Sequence, residues 1–575
     1  MKPTNNTISR ILGTVVLVTV MFISCKQTPD STITKKKNTG FLADSAMVVS
    51  ARKEASQIGI NILKKGGNAF DAMIATDLAL TVAYPFAGNI GGGGFMVYRT
   101  ANGETGALDY REKAPMAATK DMYLDENGAI IKGKSTLGGL AVGVPGTVAG
   151  LFAVHKKLGS LPFSDLIQPA IDLAKRGVVV TAKQARRLSH YRKLFGEVNQ
   201  RTILLDKEWK AGDTIKYPEL AKTLERIRDH GRDEFYQGET AKMLVNYLSS
   251  KGGIITLEDL KKYKAKWRKP IKFTYKDYTI TSMTLPSSGG ICIAQILKSI
   301  APYHIEQYPH NSAKYIQLLT EAERRAFADR SHYLGDIDFV DVPVDSLVNP
   351  DYLKARMADF SWDVAGKSSD ISYGKIIGYE SNETTHYSIV DQYGNAVAVT
   401  TTLNGAYGSK VYVAGGGFFL NNEMDDFSAK PGVPNMFGLV GAEANAIAPE
   451  KRMLSSMSPS IVQKNGKLVM VLGSPGGSTI ITSVLQNILN VVDFKMGMQE
   501  SVSQARFHHQ WLPDVIKMEP KGFDSITKKT LIDKGYAIDE SHSVVIGKVD
   551  AILVRNDGKL EGGADPRGDD TAVGY

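Results

Sequence analysis

Residues 384–404, TTHYSIVDQYGNAVAVTTTLN, decide how the fold is read. Two runs rich in β-branched and aromatic residues flank QYGN, a turn signal, so the stretch predicts an antiparallel hairpin. With Gln392 to Asn395 as a four-residue loop, Asp391 faces Ala396. That register sets Thr385 opposite Thr402 and Thr384 opposite Leu403. A slip of one residue still leaves Thr402 beside the head of the first strand. A hydroxyl cluster at that point has catalytic potential. Threonine is also a good strand former and cross-strand Thr pairs are common sheet filler, so the hairpin alone leaves both readings open.

Outward from the hairpin, the downstream chain stays rich in strands. SPSIVQKNGKLVMVLGS (458–474) and DAILVRNDGKL (550–560) carry the turn signals KNG and RNDG. Between them STIITSVLQNILNVVDFKMG (478–497) is an amphipathic helix that follows a Gly-Ser-Pro-Gly-Gly turn. Upstream, residues 55–85 read as two helices broken at Gly66-Gly67, and SAKYIQLLTEAERRAFADRSHYLG (312–335) continues a helix-rich half. A layered α/β body is the class this pattern predicts. At 575 residues, the chain matches two fused halves or one large α/β body rather than one ordinary core.

Composition narrows the function. Hydrophobic content of 43% and charged content of 22% are those of a folded soluble protein. The net charge of +9 is spread among acids, with only Lys35-Lys36-Lys37 as a run, so a nucleic-acid partner is not expected. Lys2 and Arg10 precede an apolar core, Ile11 to Ile23, too short to span a membrane and suited to a signal peptide. Ser24-Cys25 at its border resembles a bacterial lipoprotein processing site, with Phe22 in place of the usual aliphatic residue. Residues 1–24 are therefore expected to be a lipoprotein-type signal peptide, Cys25 the lipidated residue and 25–40 a flexible tether. The protein is expected to be exported and held in the periplasm or at the outer membrane by lipid alone. Of two cysteines the other, Cys292, lies in an apolar helical pattern and reads as a small buried hydrophobe.

The stretch ESNETTHYSIVDQYGNAVAVTTTLN (380–404) resembles the maturation site of γ-glutamyl transpeptidases. The resemblance continues through FFLNNEMDDFSAKPGVPN, LSSMSPSIV, GSPGGSTIITSVLQ, RFHHQWLPD and DPRGDDTAVGY, and upstream through GGNAFDAMIA, AGNIGGGGFMVYR and LDYREKAP. It covers the chain from about Ala46 to Tyr575 in the family's motif order. It implies an N-terminal-nucleophile hydrolase fold: an αββα sandwich of two stacked, mostly antiparallel sheets flanked by helices. It also implies self-cleavage between Glu383 and Thr384, giving a large subunit (41–383) and a small catalytic subunit (384–575).

By the same resemblance Thr384 is the nucleophile, with its new α-amino group as base, and Thr402 orients it. Gly476 and Gly477 form the oxyanion hole, which suits a glycine pair beside a helix N-terminus. Arg111, Ser455 and Ser456 meet the donor's α-carboxylate. Asp426, Glu423 and Asn404 hold its α-ammonium, with Glu423 the less secure because the family also uses Gln there. A lid, roughly 431–450, carries Phe437 where many relatives have a gating Tyr. No metal or organic cofactor is implied. Donors would be glutathione and other γ-glutamyl compounds, and acceptors water, amino acids or dipeptides. The rivals are a glutaryl or cephalosporin acylase, a poly-γ-glutamate-cleaving relative and a non-enzymatic surface lipoprotein.

Three further motifs are read conservatively. Gly91 to Gly94 lacks the lysine of a phosphate loop and reads as close packing or a tight turn. His508-His509 reads as a packed pair rather than a metal site, since strand neighbours face opposite ways. Arg567-Gly568-Asp569 falls within a family motif and is taken as an incidental adhesion tripeptide.

Overall fold

The computed structural model describes residues 38–199, 201–372, 384–436, 438–541 and 545–575. Asn38–Tyr575 form one compact unit. The signal and lipidation readings, including Cys25, and the individual residues Glu383 and Phe437 lie outside the described residues. No helix among those residues is long and apolar enough to cross a membrane.

Two seven-stranded sheets form the centre. One runs Phe41–Ala43, Leu560–Gly563, Asp550–Val554, Lys467–Gly473, Ser460–Lys464, Tyr278–Ser282 and Ile271–Tyr275. The other runs Thr571–Gly574, Met47–Ser50, Thr385–Val390, Ala396–Thr402, Gly93–Arg99, Thr105–Asp109 and Lys266–Arg268. Every neighbouring pair in both sheets is antiparallel. Each sheet combines strands from before and after residue 384.

Alternation along the Thr385–Val390 strand explains the layers. Tyr387 and Ile389 enter one core with the helices Lys53–Lys64, Ala69–Ala83, Thr147–Leu158 and Phe163–Arg176. Val390 enters the second core, with Ala396 and Ala398 of the partner strand, Met470 and Leu472 of the facing sheet, and the helices Gly289–Ile300, Ala313–Tyr333 and Thr479–Val492. Helix, sheet, sheet and helix thus stack as the expected αββα sandwich. Thr384, His386 and Ser388 share the parity of Val390 and face the inter-sheet layer.

That layer holds a polar strip. His386 Nδ1 lies 2.9 Å from Thr400 Oγ1 and its Nε2 3.1 Å from Ser388 Oγ. Ser388 Oγ donates to the Asp550 carbonyl at 3.0 Å. Burial pushes His386 down to about 3, so the ring is neutral. Gly473 lies across from it, where an added Cβ would sit 2.3 Å from the ring.

The hairpin register differs from the expected one by one residue. Val390, not Asp391, faces Ala396, and Thr385 faces Thr401. Asp391 leaves the ladder because its carboxylate has better partners in the loop. It accepts from the Tyr393 and Asn395 N–H groups at 3.0 and 2.8 Å and from the Ala69 N–H at 2.8 Å, at the start of a helix. Extending the observed register brings Thr384, not Thr385, level with Thr402.

Candidate active site

Thr384 directly precedes the Thr385–Val390 strand and is buried. Its Oγ1 lies 3.5 Å from Thr402 Oγ1. Thr402 Oγ1 accepts from the Asn404 N–H at 2.7 Å, which leaves its proton for Thr384. Behind it, Asn89 Nδ2 donates to the Thr402 carbonyl at 2.9 Å while its Oδ1 accepts from the Gly92 N–H at 2.8 Å. An added Cβ on Gly92 would sit 2.1 Å from the Thr402 carbonyl, and one on Gly91 2.1 Å from that of Phe419. The glycine run is close packing behind the two threonines, as its lack of a lysine implied.

A cavity of ≈ 290 Å³ opens on Thr384. Its walls bring together Thr402, Gly477, Arg111, Asn404, Glu423, Asp426, Ser455 and Ser456, all picked out in the sequence, with Arg330, Leu439, Met457 and Ile480. Gly477 (φ 55°) and Gly476 (φ 136°) hold positive φ just before the helix Thr479–Val492. The Gly476 carbonyl accepts from Thr479 N–H and Oγ1 at 3.0 and 2.8 Å, which orders the turn. Gly476 sits one residue back and is not part of the cavity lining.

The charged end of the cavity is paired internally. Arg111 is ion-paired with both Glu423 and Asp426, and lies 3.7 Å from Glu112. Burial works against the Arg111 charge, but Glu423, Asp426 and Glu112 outweigh it and hold the guanidinium protonated. Burial pushes Glu423 well above the usual carboxylate range and Asp426 upward, against the pull of Arg111. Glu112 is pushed up to about 7 by burial, again opposed by Arg111. Both Glu112 oxygens and Glu423 Oε2 are buried without a hydrogen-bond donor among the described residues. One cation therefore serves three carboxyls.

The same cavity carries the serines. Ser455 Oγ accepts from the Met457 N–H at 3.1 Å, and Ser456 Oγ accepts from Arg330 Nη2 at 3.2 Å. The segment read as a lid borders the cavity through Leu439, and within it Pro434 bridges to Val440. Asn435 Nδ2 donates to Asp426 Oδ1 at 3.2 Å and the Met436 N–H to Asp425 Oδ2 at 2.9 Å. Asp425 is pushed up to about 6 by burial, while the Ser135 hydroxyl donating at 2.6 Å holds it down.

Sequence reasoning missed Arg330, Glu112 and Asp425. Arg330 lies in a helix whose other arginines look identical in sequence, and Glu112 and Asp425 are direct neighbours of residues already picked. Only burial and direction separate them. The conservative readings agree with the contacts. Cys292 is fully buried, its thiol pushed up to about 12. His508 meets Thr482 and Gln510, and His509 meets Asp514. Arg567 is held by Glu519 and Asp565.

The chain matches the family model described as gamma-glutamyltranspeptidase over residues 55–575. It is 48% identical over 538 residues to the glutathione hydrolase proenzyme of Escherichia coli, covering 93% of this chain and 92% of that one. Among solved structures, a cephalosporin acylase from Bacillus halodurans superposes with a TM-score of 0.82 at 25% identity, covering 95% and 99%. The γ-glutamyltranspeptidase of Helicobacter pylori gives 0.55 at 44% identity, covering 59% of this chain and 96% of that one.

Proposed function

The chain belongs to the γ-glutamyltranspeptidase family, and on that premise we propose how its own residues carry the reaction. It is a self-cleaving γ-glutamyltransferase and glutathione hydrolase. The observation that carries the residue-level reading is one cavity holding Thr384, Thr402, Gly477 and charged groups of both signs.

In maturation the Thr384 hydroxyl attacks the carbonyl of Glu383, the amide becomes an ester, and water cleaves it. The freed α-amino group has an ordinary pKa of about 7.7–8.0, so near neutrality it takes the proton of its own hydroxyl. Thr384 then attacks the γ-carbonyl of the donor. The oxyanion forms at the Gly476-Gly477 turn, where each N–H donor is worth about 3 kcal/mol of transition-state stabilisation. The protonated amine passes its proton to the leaving amine, which for glutathione is that of cysteinylglycine. Water or an acceptor amine then attacks the acyl-Thr384 ester.

Binding is an exchange of ion pairs. The donor's α-carboxylate takes Arg111, and its α-ammonium takes the place of Arg111 on Glu423 and Asp426. Each desolvated charge of the ligand replaces an existing partner, which offsets the cost of burying it. An acylase acting on glutaryl groups brings no ammonium and would strand these acids. That asymmetry, with the 48% identity to a glutathione hydrolase, favours the γ-glutamyl donor.

The chain expressed without its signal should run as two bands on a denaturing gel and cleave a chromogenic γ-glutamyl amide. Thr384→Ala should run as one band and be inactive. A parent that remains one band yet is fully active would sink the mechanism. The apolar core ending at Ser24-Cys25 supports export and lipid anchoring. With the signal retained, Cys25→Ala should move the enzyme from the membrane fraction to the soluble one; retention on the membrane would rule out Cys25 as the anchor.

A further inference from the structure

We propose that Arg330 is a positioning and specificity residue of the donor pocket, which turns the hydroxyl of Ser456 towards an anionic group in the cavity and adds a second positive charge at that wall. The proposal rests on the γ-glutamyl reading above.

Arg330 sits near the end of the helix Ala313–Tyr333, is 4% exposed and borders the cavity beside Thr384. Its guanidinium spans two serines. Nε donates to Ser288 Oγ at 2.9 Å and Nη2 to Ser456 Oγ at 3.2 Å. Ser288 passes the contact on: its hydroxyl and its N–H both donate to the Ser455 carbonyl, at 2.7 and 2.8 Å. One side chain thus fixes the backbone of Ser455 and the oxygen of Ser456.

The direction of these bonds matters. Arginine can only donate, so Ser456 Oγ is the acceptor, and its own proton must point elsewhere. Ser455 Oγ is likewise an acceptor from the Met457 N–H at 3.1 Å. Two hydroxyls held as acceptors from behind become donors towards the cavity. A carboxylate, which only accepts, fits that wall, and an ammonium, which only donates, does not.

Charge gives the same polarity. Arg324 and Arg325, on the same helix, have Glu321, Asp514 and Asp359 as ion-pair partners. Arg330 has no carboxylate at ion-pair distance among the described residues. Burial lowers its pKa, against the smaller opposing pull of Cys292 and then of Asp426. A buried guanidinium short of a counter-ion at the edge of a cavity favours an anion there. The carboxyls lie around Arg111 and the hydroxyls around Arg330, so the pocket orients the amino-acid end of the donor.

The test uses the self-cleaved enzyme and two chromogenic amides, γ-glutamyl and 4-aminobutyryl, which differ only in the α-carboxylate. For Arg330→Gln, KM for the γ-glutamyl amide should rise on the order of 10- to 100-fold with kcat changed far less, the loss of one charge-assisted bond. The aminobutyryl amide, followed by its Ki as a competitor if turnover is slow, should be unaffected. Equal losses on both amides would make Arg330 a strut and overturn the proposal, as would an unchanged preference. Should Arg330→Gln fail to fold, Arg330→Lys decides. Lysine keeps the charge without the fork, so part of the preference should be lost, and a parental preference would overturn the proposal. A parent that is uncleaved or indifferent to γ-glutamyl amides would instead refute the underlying functional reading.

Discussion

Two buried polar clusters flank Thr384 and are built on opposite terms. The inter-sheet strip of Thr400, His386, Ser388 and the Asp550 carbonyl is uncharged and runs as a continuous chain of hydrogen bonds. The cluster of Arg111, Glu112, Glu423 and Asp426 is charged, and three of its carboxylate oxygens lack a donor. Buried polar groups are normally satisfied, and of the residues left short Glu423 lines the cavity, so its free oxygen is the one open to a ligand's charge. The satisfied strip beneath supplies rigidity, and the unsatisfied cluster supplies affinity.

The most severe break in this contrast is Arg111→Met, which leaves three buried carboxyls without their cation. At pH 8 it should cost about 3–5 kcal/mol of stability and abolish γ-glutamyl turnover. The sign with pH is defined. Glu112 titrates near 7 in the fold, Glu423 and Asp426 are also raised, and unfolded carboxyls titrate near 4–4.5. Between those limits the folded state holds protons that the unfolded state has lost, so stability rises as pH falls. Urea melts at pH 8 and pH 5.5 should show the defect shrinking, and an equal defect at both would refute the charge argument. His386→Leu is the milder counterpart. Stranding Thr400 and Ser388 should cost about 1–3 kcal/mol at pH 8. At pH 5.5 the defect should shrink by about 1 kcal/mol, because the folded ring stays neutral while the unfolded imidazole, ordinarily near 6.5, takes a proton that destabilises only the parent. The variant's KM for a γ-glutamyl amide should match the parent's, and a raised KM would show that the strip takes part in binding.

Much of this was legible in the chain. The strand alternation and turn signals located the hairpin, and the motif order identified the αββα class and nine of the residues that share the cavity wall. The register was off by one because a turn tetrad says nothing about where a carboxylate will cap. Asp391 is drawn to the Ala69 N–H, a partner far away in sequence. Arg330 was illegible for a related reason. Its significance lies in lacking the carboxylate partners that Arg324 and Arg325 have, and helical spacing does not encode who stands opposite. Glu112 was passed over because a residue beside a chosen arginine reads as its surface neighbour until its burial is known.

The mixing of strands from before and after residue 384 in both sheets has a consequence for the life of the molecule. After the proposed cut, neither piece owns a complete sheet, and each would expose long unpaired edges if it left the other. The precursor can fold as a single chain, whereas the cut form, once melted, must find its complement in solution at a concentration-dependent rate. Maturation then changes the order of the folding reaction: a one-body process in the precursor becomes a two-body process in the cut enzyme, slower the more dilute the pieces.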